Sequence, residues 1–382
     1  MTQLTRRMND TTNRPELYLS IELSSSQWKL TLTNGDRMRE RNVDAGNVGD
    51  LERELGQAKE KLELPKDCPV HCCYEAGRDG FWLHRELMKR GVNNVVVDPS
   101  AIEMNRRMRQ TKTDRVDGRK LVAQLVRYQR GERGALRVVR VPSAEVEDAR
   151  RPERERKRLQ RERTAHRNRM GALLILHGAR LTLSPKLSVD QFAEALKQHP
   201  TPTGEPLPPG LRAELVREYE RLQVVQRQLR QVDSEIAAWR KAKKHPWAKK
   251  MDRLAELGGI GDKSSDVLVR EFFGWRTFDN RRQLASAAGL APTPFASGKV
   301  EREQGISKAG SARVRSLMVE LAWFWLRRQP NSQLSRWFNE RFGASGKRSR
   351  RVGIVALARK LLVALWRFLE QGVIPEGALL KD

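Results

Sequence analysis

Leu17-Tyr-Leu-Ser-Ile-Glu-Leu23 alternates apolar and polar side chains with a period of two, the pattern of a half-buried β-strand. Trp28-Lys-Leu-Thr-Leu-Thr33 repeats it, Asn34-Gly35 supplies a hairpin turn, and Arg37 to Val43 runs back, so the opening reads as a three-stranded antiparallel meander. Leu51 to Leu62 has helical spacing and ends at Pro65. Val70-His-Cys-Cys-Tyr74 is a short apolar strand, Phe81 to Lys89 a helix closed by Gly91, and Val95-Val-Val97 a strand stopped at Asp98-Pro99. A helix follows from about Thr113 to Gln129 and ends near Gly131.

That order, βββαβαβα, predicts a ribonuclease-H-like α/β domain over 15–135: a mixed sheet with helices on its faces. Residues 101–170 form the basic centre of the chain, with 22 Lys and Arg against 10 Asp and Glu. Within it, Arg150 to Arg169 is helical in pattern and dense with arginine, a side chain whose planar fork suits phosphate. Glu153, Glu155 and Glu162 are interspersed, so pairing along a solvated helix face is the competing reading. Pro200 to Gly210 reads as a linker or exposed loop. Beyond it, Leu211, Leu215, Leu222, Val225, Leu229, Val232, Ile236 and Trp239 recur mostly at three and four, as in a short coiled coil. Such a seam either packs on its own chain or pairs two copies; pairing is the expectation. The middle region is thus set at 136–248 and a mainly helical C-terminal domain at 249–382.

The composition names the partner. Lys and Arg outnumber Asp and Glu by 74 to 47 in 382 residues, a formal charge of +27, and such an excess repels itself unless a polyanion is present. Nucleic acid fits. A membrane does not: no polybasic segment adjoins an amphipathic anchor, and the most apolar stretch, Val352 to Leu369, is broken by Arg359, Lys360 and Arg367. The polar N-terminus has no apolar core of a signal peptide, and the clustered cysteines Cys68, Cys72 and Cys73 argue for a reducing compartment, so a cytoplasmic, nucleoid-associated protein is expected. Those cysteines, with His71, read as buried strand residues rather than zinc ligands.

Four carboxylates carry the chemistry. Glu22 sits in the first strand, Glu75 just after the fourth, and Asp114 with Asp117 at the start of the helix after the fifth. In a ribonuclease-H-like sheet these places converge at one end. Carboxylates so gathered repel unless cations sit among them, and Mg²⁺, with Mn²⁺ able to substitute, takes such hard oxygens together with substrate phosphate. Two such ions stabilise both the attacking and leaving oxygens of a phosphodiester displacement. Near the C-terminus, Leu257-Gly-Gly-Ile-Gly261 opens a helix in the manner of a helix-hairpin-helix turn, whose amides approach phosphate.

Glu75-Ala-Gly77, Val97-Asp-Pro99 and above all Lys112-Thr-Asp-Arg-Val-Asp117 resemble the DEDD transposases of bacterial insertion sequences, of the insertion-sequence one-hundred-ten class. Arg163 to Arg169 with Leu173-Leu174 resembles their next segment. Gly259-Ile-Gly261, Gly289-Leu290, Ser297-Gly298 and Ile306-Ser-Lys-Ala-Gly310 resemble their second domain. The resemblance implies a RuvC-like N-terminal domain and a serine nucleophile from the C-terminal domain, joined with the carboxylates in one composite site. It also implies a structured noncoding (bridge) RNA that pairs with donor and target DNA; a homodimer or homotetramer is expected from the coiled-coil seam. Ser297, before Gly298 and near Lys299, matches the nucleophile position; Ser307 is its rival. Lys112, Arg115, Arg163, Arg167, Lys299 and Lys308, with Gly259 and Gly261, are the expected nucleic-acid contacts. One departure stands out: the family usually carries Asp where this chain has Glu22, whose carboxylate reaches about 1.5 Å further. A RuvC-type hydrolase using water, and a catalytically inactive nucleic-acid-binding relative, are the alternatives.

Overall fold

The computed structural model describes residues 15–77, 79–99, 114–181, 184, 186–243, 245–297 and 300–381, with side chains left aside at 114–116, 294–297 and 300–304. The chain forms two compact units that meet at Pro142 and Ser143.

The first unit follows the alternation. Strands β1 (Leu17–Leu23), β2 (Gln27–Thr33) and β3 (Met38–Asp44) form the meander. Gly35 takes a positive φ of 105° in the connection between β2 and β3, where Asn34 Oδ1 accepts from the amides of Asp36 and Arg37. Helix α1 (Val48–Lys61), capped by Asn47, leads to β4 (Val70–Glu75); α2 (Trp82–Lys89) leads to β5 (Asn93–Val97); α3 (Asp114–Gln129) closes the series. The five strands lie in the order β3-β2-β1-β4-β5, antiparallel through β3, β2 and β1 and parallel through β1, β4 and β5.

Alternation then assigns the two faces. Leu17, Leu19 and Ile21 pack with Leu51 and Leu55 of α1 and Leu83 and Leu87 of α2. Tyr18 and Cys73 face the other way, onto Leu121, Val122 and Leu125 of α3. Val138 adds a bridge to the outer edge of β5, a pairing the sequence pattern did not announce.

The second unit is helical apart from one hairpin. After α4 (Ala144–Ala149), α5 (Arg151–Leu176) and α7 (Pro209–Ala242) pack antiparallel, joined by α6 (Val189–Lys197) and the proline-rich segment. That segment is a loop with a bridge between Pro200 and Pro206 and a buried Leu207. The α7 seam packs on its own chain: Leu215, Tyr219 and Leu222 meet Met170 and Leu174, while Val225, Leu229, Val232 and Ile236 meet Leu159. The expectation that this seam pairs two copies is therefore corrected; α5 is its occupant.

Helices α8 (Ala248–Ala255) and α9 (Asp262–Leu268) flank the glycine turn, and α9 runs on into a π-helical turn, Val269–Phe273. Then come α10 (Arg281–Ala287), β6 (Pro292–Ser297), β7 (Val300–Ile306), α11 (Ala312–Arg328), α12 (Gln333–Phe342) and α13 (Lys347–Gln371). The apolar stretch expected as a packed helix is α13, whose Leu357, Leu361, Leu362 and Leu365 lie at the centre of the largest core. No described helix is long and apolar enough to cross a membrane. The tail returns to the glycine turn: Leu380 bridges Leu257, Gln329 Nε2 donates to the carbonyls of Gly258 and Leu379, and Lys381 Nζ donates to those of Ala255 and Ile260.

Many charges of the basic helix serve to hold this unit together. Arg154 makes two 2.9 Å bonds to the buried Glu271, Arg156 bonds Asp233 at 2.6 Å, and Arg169 bonds Glu214 at 2.7 Å. Arg158 pairs along its own helix with Glu155 and Glu162. Arg150 is buried. Arg161 and Arg167 remain at the surface and Arg163 is half-buried, so the basic stripe without a carboxylate partner among the described residues is narrower than the arginine count implies.

Candidate active site

The parallel pairing of β1 with β4 sets Ile21 beside Tyr74, which brings the next residues, Glu22 and Glu75, side by side at the carboxyl edge of neighbouring strands. Alternation from Tyr18 and Cys73 turns both toward the α3 face. Helix α3 crosses that face antiparallel to β1. Ser20 Oγ donates to the Gly118 carbonyl at 2.8 Å, and Cys73 lies below Leu121. Moving toward the start of α3 therefore moves toward the edge where Glu22 and Glu75 sit.

Gly118 makes the approach close enough to matter. A Cβ there would lie 2.7 Å from Thr31 Oγ1 and 3.2 Å from Glu22 Oε1. Both Glu22 carboxylate oxygens are out of solvent, under α3. Asp117, half-buried, precedes this glycine, and Asp114 opens the helix one turn earlier. Glu75 is exposed at the rim. Its charge is felt inside the sheet: burial first, and then Glu75, push the Cys73 thiol far above its usual range. Cys72 is raised by burial as well, and all three cysteines are free, buried thiols, as the sequence reading expected.

Glu22 and Glu75 thus share one sheet edge, and Asp117 lies in the first turn of α3, next to Gly118. Among the described residues no three acidic, His or Cys side chains close around a metal position; the Asp114 side chain, the fourth expected ligand, lies outside the described residues. Asp98, named from sequence only as a strand stop and part of the Val97-Asp-Pro99 motif, follows β5 at the same edge, where Arg137 holds it at 3.5 Å.

Replacing Gly118 by Ala drives a methyl into Thr31 and the Glu22 carboxylate. The expected cost is about 1–3 kcal/mol of stability, typical of overpacking. Thermal unfolding of the variant beside the unsubstituted protein checks this.

In the second unit, Ser297 ends β6 opposite Val300 across a connection whose two residues, Gly298 and Lys299, lie outside the described residues, as does the Ser297 side chain. Lys112 is outside them too, and Arg115 is placed only as part of the first turn of α3. Ser307 is half-buried, its amide bonds the Ala291 carbonyl at 2.9 Å, and its Oγ is out of solvent. Lys308 is exposed with a φ of 55°, and its carbonyl accepts from Arg315 at 2.9 Å.

The glycine motifs of this unit are points of close approach, against backbone at Gly310 and against side chains at Gly258 and Gly259. At Gly310, with φ 138°, a Cβ would lie 2.6 Å from both the Ala287 carbonyl oxygen and the Gly289 amide nitrogen. Gly289 and Gly310 thus seal the end of α10 against the entry to α11. In the glycine turn, a Cβ on Gly258 would press on Gln329 Nε2 at 2.5 Å and one on Gly259 on Arg328 Cβ at 3.3 Å; only Gly261 of the three faces open space. Packing thus accounts for Gly258 and Gly259 without a phosphate.

A family model described as Transposase IS116/IS110/IS902 matches residues 251–336, the span holding this glycine turn and the Gly289–Gly310 contact. The chain is 41% identical over 378 residues to y4rJ of Sinorhizobium fredii, described as a transposase, covering 96% of this chain and 94% of that one. It is 26% identical over 225 residues to the transposase for insertion sequence element IS1328 of Yersinia enterocolitica, covering 58% of this chain and 62% of that one. To the transposase for insertion sequence element IS1111A of Coxiella burnetii it is 24% identical over 295 residues, or 77% and 75% of the two chains. A likeness that runs nearly end to end, with the family model seated on the glycine contacts that build the second unit, leads to one conclusion: the chain belongs to the IS116/IS110/IS902 family of transposases.

Proposed function

We propose that this chain is a DNA transposase that cuts and rejoins the strands of its own insertion sequence, with a RuvC-like first unit. The observation that carries the reading is the convergence of Glu22 and Glu75 on one sheet edge beneath the acidic first turn of α3, with Gly118 leaving room for the Glu22 carboxylate. The strand order β3-β2-β1-β4-β5 supports the ribonuclease-H-like assignment.

The proposed donor set suits a hard cation: it is all carboxylate oxygen, in a strongly basic chain. Glu22, Glu75, Asp114 and Asp117 would hold Mg²⁺, which when bound supplies charge stabilisation for the oxygens of a phosphodiester displacement. Glu22 fills the place where relatives usually carry Asp, and its extra methylene is accommodated by the missing Cβ of Gly118. That fit favours a working site over a disarmed one.

Ser297 is the proposed nucleophile. Its Oγ attacks a DNA phosphorus, the bond to one bridging oxygen breaks, and a serine–DNA phosphodiester forms with release of a strand hydroxyl. A hydroxyl from another strand reverses the step. Ser307 suits this role less, since its Oγ is out of solvent. Arg163, Arg167, Lys112, Arg115, Lys299 and Lys308 would neutralise phosphates of DNA and of a structured noncoding RNA partner. The test is excision in cells from the gene with its flanking noncoding DNA: the wild type excises and Asp114→Asn does not. In vitro, Ser297→Ala is expected to abolish a covalent protein–DNA adduct that survives denaturation, while Ser307→Ala retains it. An adduct on Ser297→Ala transfers the role elsewhere, and cleavage with no adduct on any variant favours hydrolysis by water.

A further inference from the structure

The second unit contains a groove of about 1040 Å³ that neither the carboxylates nor the serine uses. Arg281 and Arg282 of α10 line one side, and Arg359, Lys360 and Arg367 of α13 line the other. All five are exposed. Unlike Arg154, Arg156 and Arg169 of α5, Arg281, Arg282, Arg359 and Arg367 pair with no carboxylate among the described residues; Lys360 rests 4.5 Å from the centre of the Trp337 ring. Glu376 is the one acid in the lining, and Arg336 holds it at 3.7 Å. Between the cations the floor is apolar, built from Ala285, Leu334, Val363 and Ala364.

Lys360, Val363, Ala364 and Arg367 recur at three, four and seven, so cation and apolar floor share one face of α13. From Arg359 to Arg367 is about 12 Å along the helix. A duplex hides its bases and offers only phosphate to such a surface, so the apolar floor gains nothing from it. An unpaired strand presents phosphates for both rims and base faces for the floor, the combination used in single-strand binding. Cutting and rejoining generates such strands at the element ends.

We propose that this groove binds unpaired DNA, holding a strand end between the arginines of α10 and α13. The proposal rests on the transposase reading and adds to it a surface and a strand form. The test uses the full chain, fluorescence anisotropy, and a labelled DNA oligonucleotide offered unpaired, as duplex, and as RNA of the same sequence. Arg359→Gln/Arg367→Gln is expected to weaken the unpaired DNA about tenfold or more and to flatten its salt slope by about 1.4, at about 0.7 per lost phosphate contact. Duplex binding is expected to stay within about twofold, and Arg359→Lys/Arg367→Lys to recover most of the loss. Val363→Glu, which leaves the rims intact, should weaken the same strand. An equal loss for duplex, a loss confined to RNA, or no loss overturns the groove assignment while leaving the transposase reading standing; a change in molecular mass with DNA binding intact gives the groove to a second copy and also overturns it. A wild type that binds no DNA sinks the transposase reading itself.

Discussion

Excision falls by about a hundredfold or more when Glu75 becomes Gln or Asp117 becomes Asn, while nucleic-acid affinity holds or rises slightly. The magnitude follows from the role: even the outer partners of metal ligands are worth about 10–100-fold, and these residues would touch the ion directly. The sign of the binding change follows from charge, since each substitution removes a negative group from the surface proposed to meet phosphate. Neither variant should unfold the protein, because Glu75 is exposed at a strand end and Asp117 half-buried in a first helical turn. Excision counts in cells and anisotropy with purified protein check the two halves. Wild-type excision by Glu75→Gln would remove the sheet edge from the mechanism.

The second large effect is on stability. Gly310→Ala is expected to cost about 3 kcal/mol, combining a strained φ with a collision against backbone that cannot rotate away. Three backbone atoms, from Ser286, Ala287 and Gly289, lie within 2.7 Å of the position the new Cβ takes. At about 2–4 °C per kcal/mol for a unit of this size, the melting temperature drops by roughly 6–12 °C. Gly305→Ala is the control. Its φ of 84° is also positive, but nothing lies within 4 Å, so it should cost about 1 kcal/mol. Calorimetry on both separates collision from strain; equal shifts would show that the Gly289–Gly310 contact contributes little.

The first unit was legible because half-buried strands announce themselves by alternation: β1, β2, β4 and β5 each have an apolar face or run, and β3, where only Val43 is buried, follows from the Asn34-Gly35 turn. The hairpin of β6 and β7 was not, since prolines at 292 and 294 and the charged run Val300-Glu-Arg-Glu-Gln304 erase any period-two signal. The α7 seam showed which residues would be covered but not by what; a heptad pattern does not name its partner, and α5 carries little apolar signal among its arginines. Likewise the four carboxylates could be ordered along strands and helix from sequence. The glycine that admits Glu22 could not, because its hydrogen-bonded partner Ser20 lies 98 residues away. The arginines of α5 look alike in sequence; only the fold separates those that hold Glu271, Asp233 and Glu214 from those left at the surface.

The returning tail bears on how the protein can be labelled. Leu380 and Lys381 are stitched to the turn between α8 and α9, and Gln329 fastens both strands of that seam. A reporter fused behind them tugs on the very residues that close the second unit. The exposed tip at Thr203 and Gly204, between α6 and α7, is the gentler place to insert an epitope.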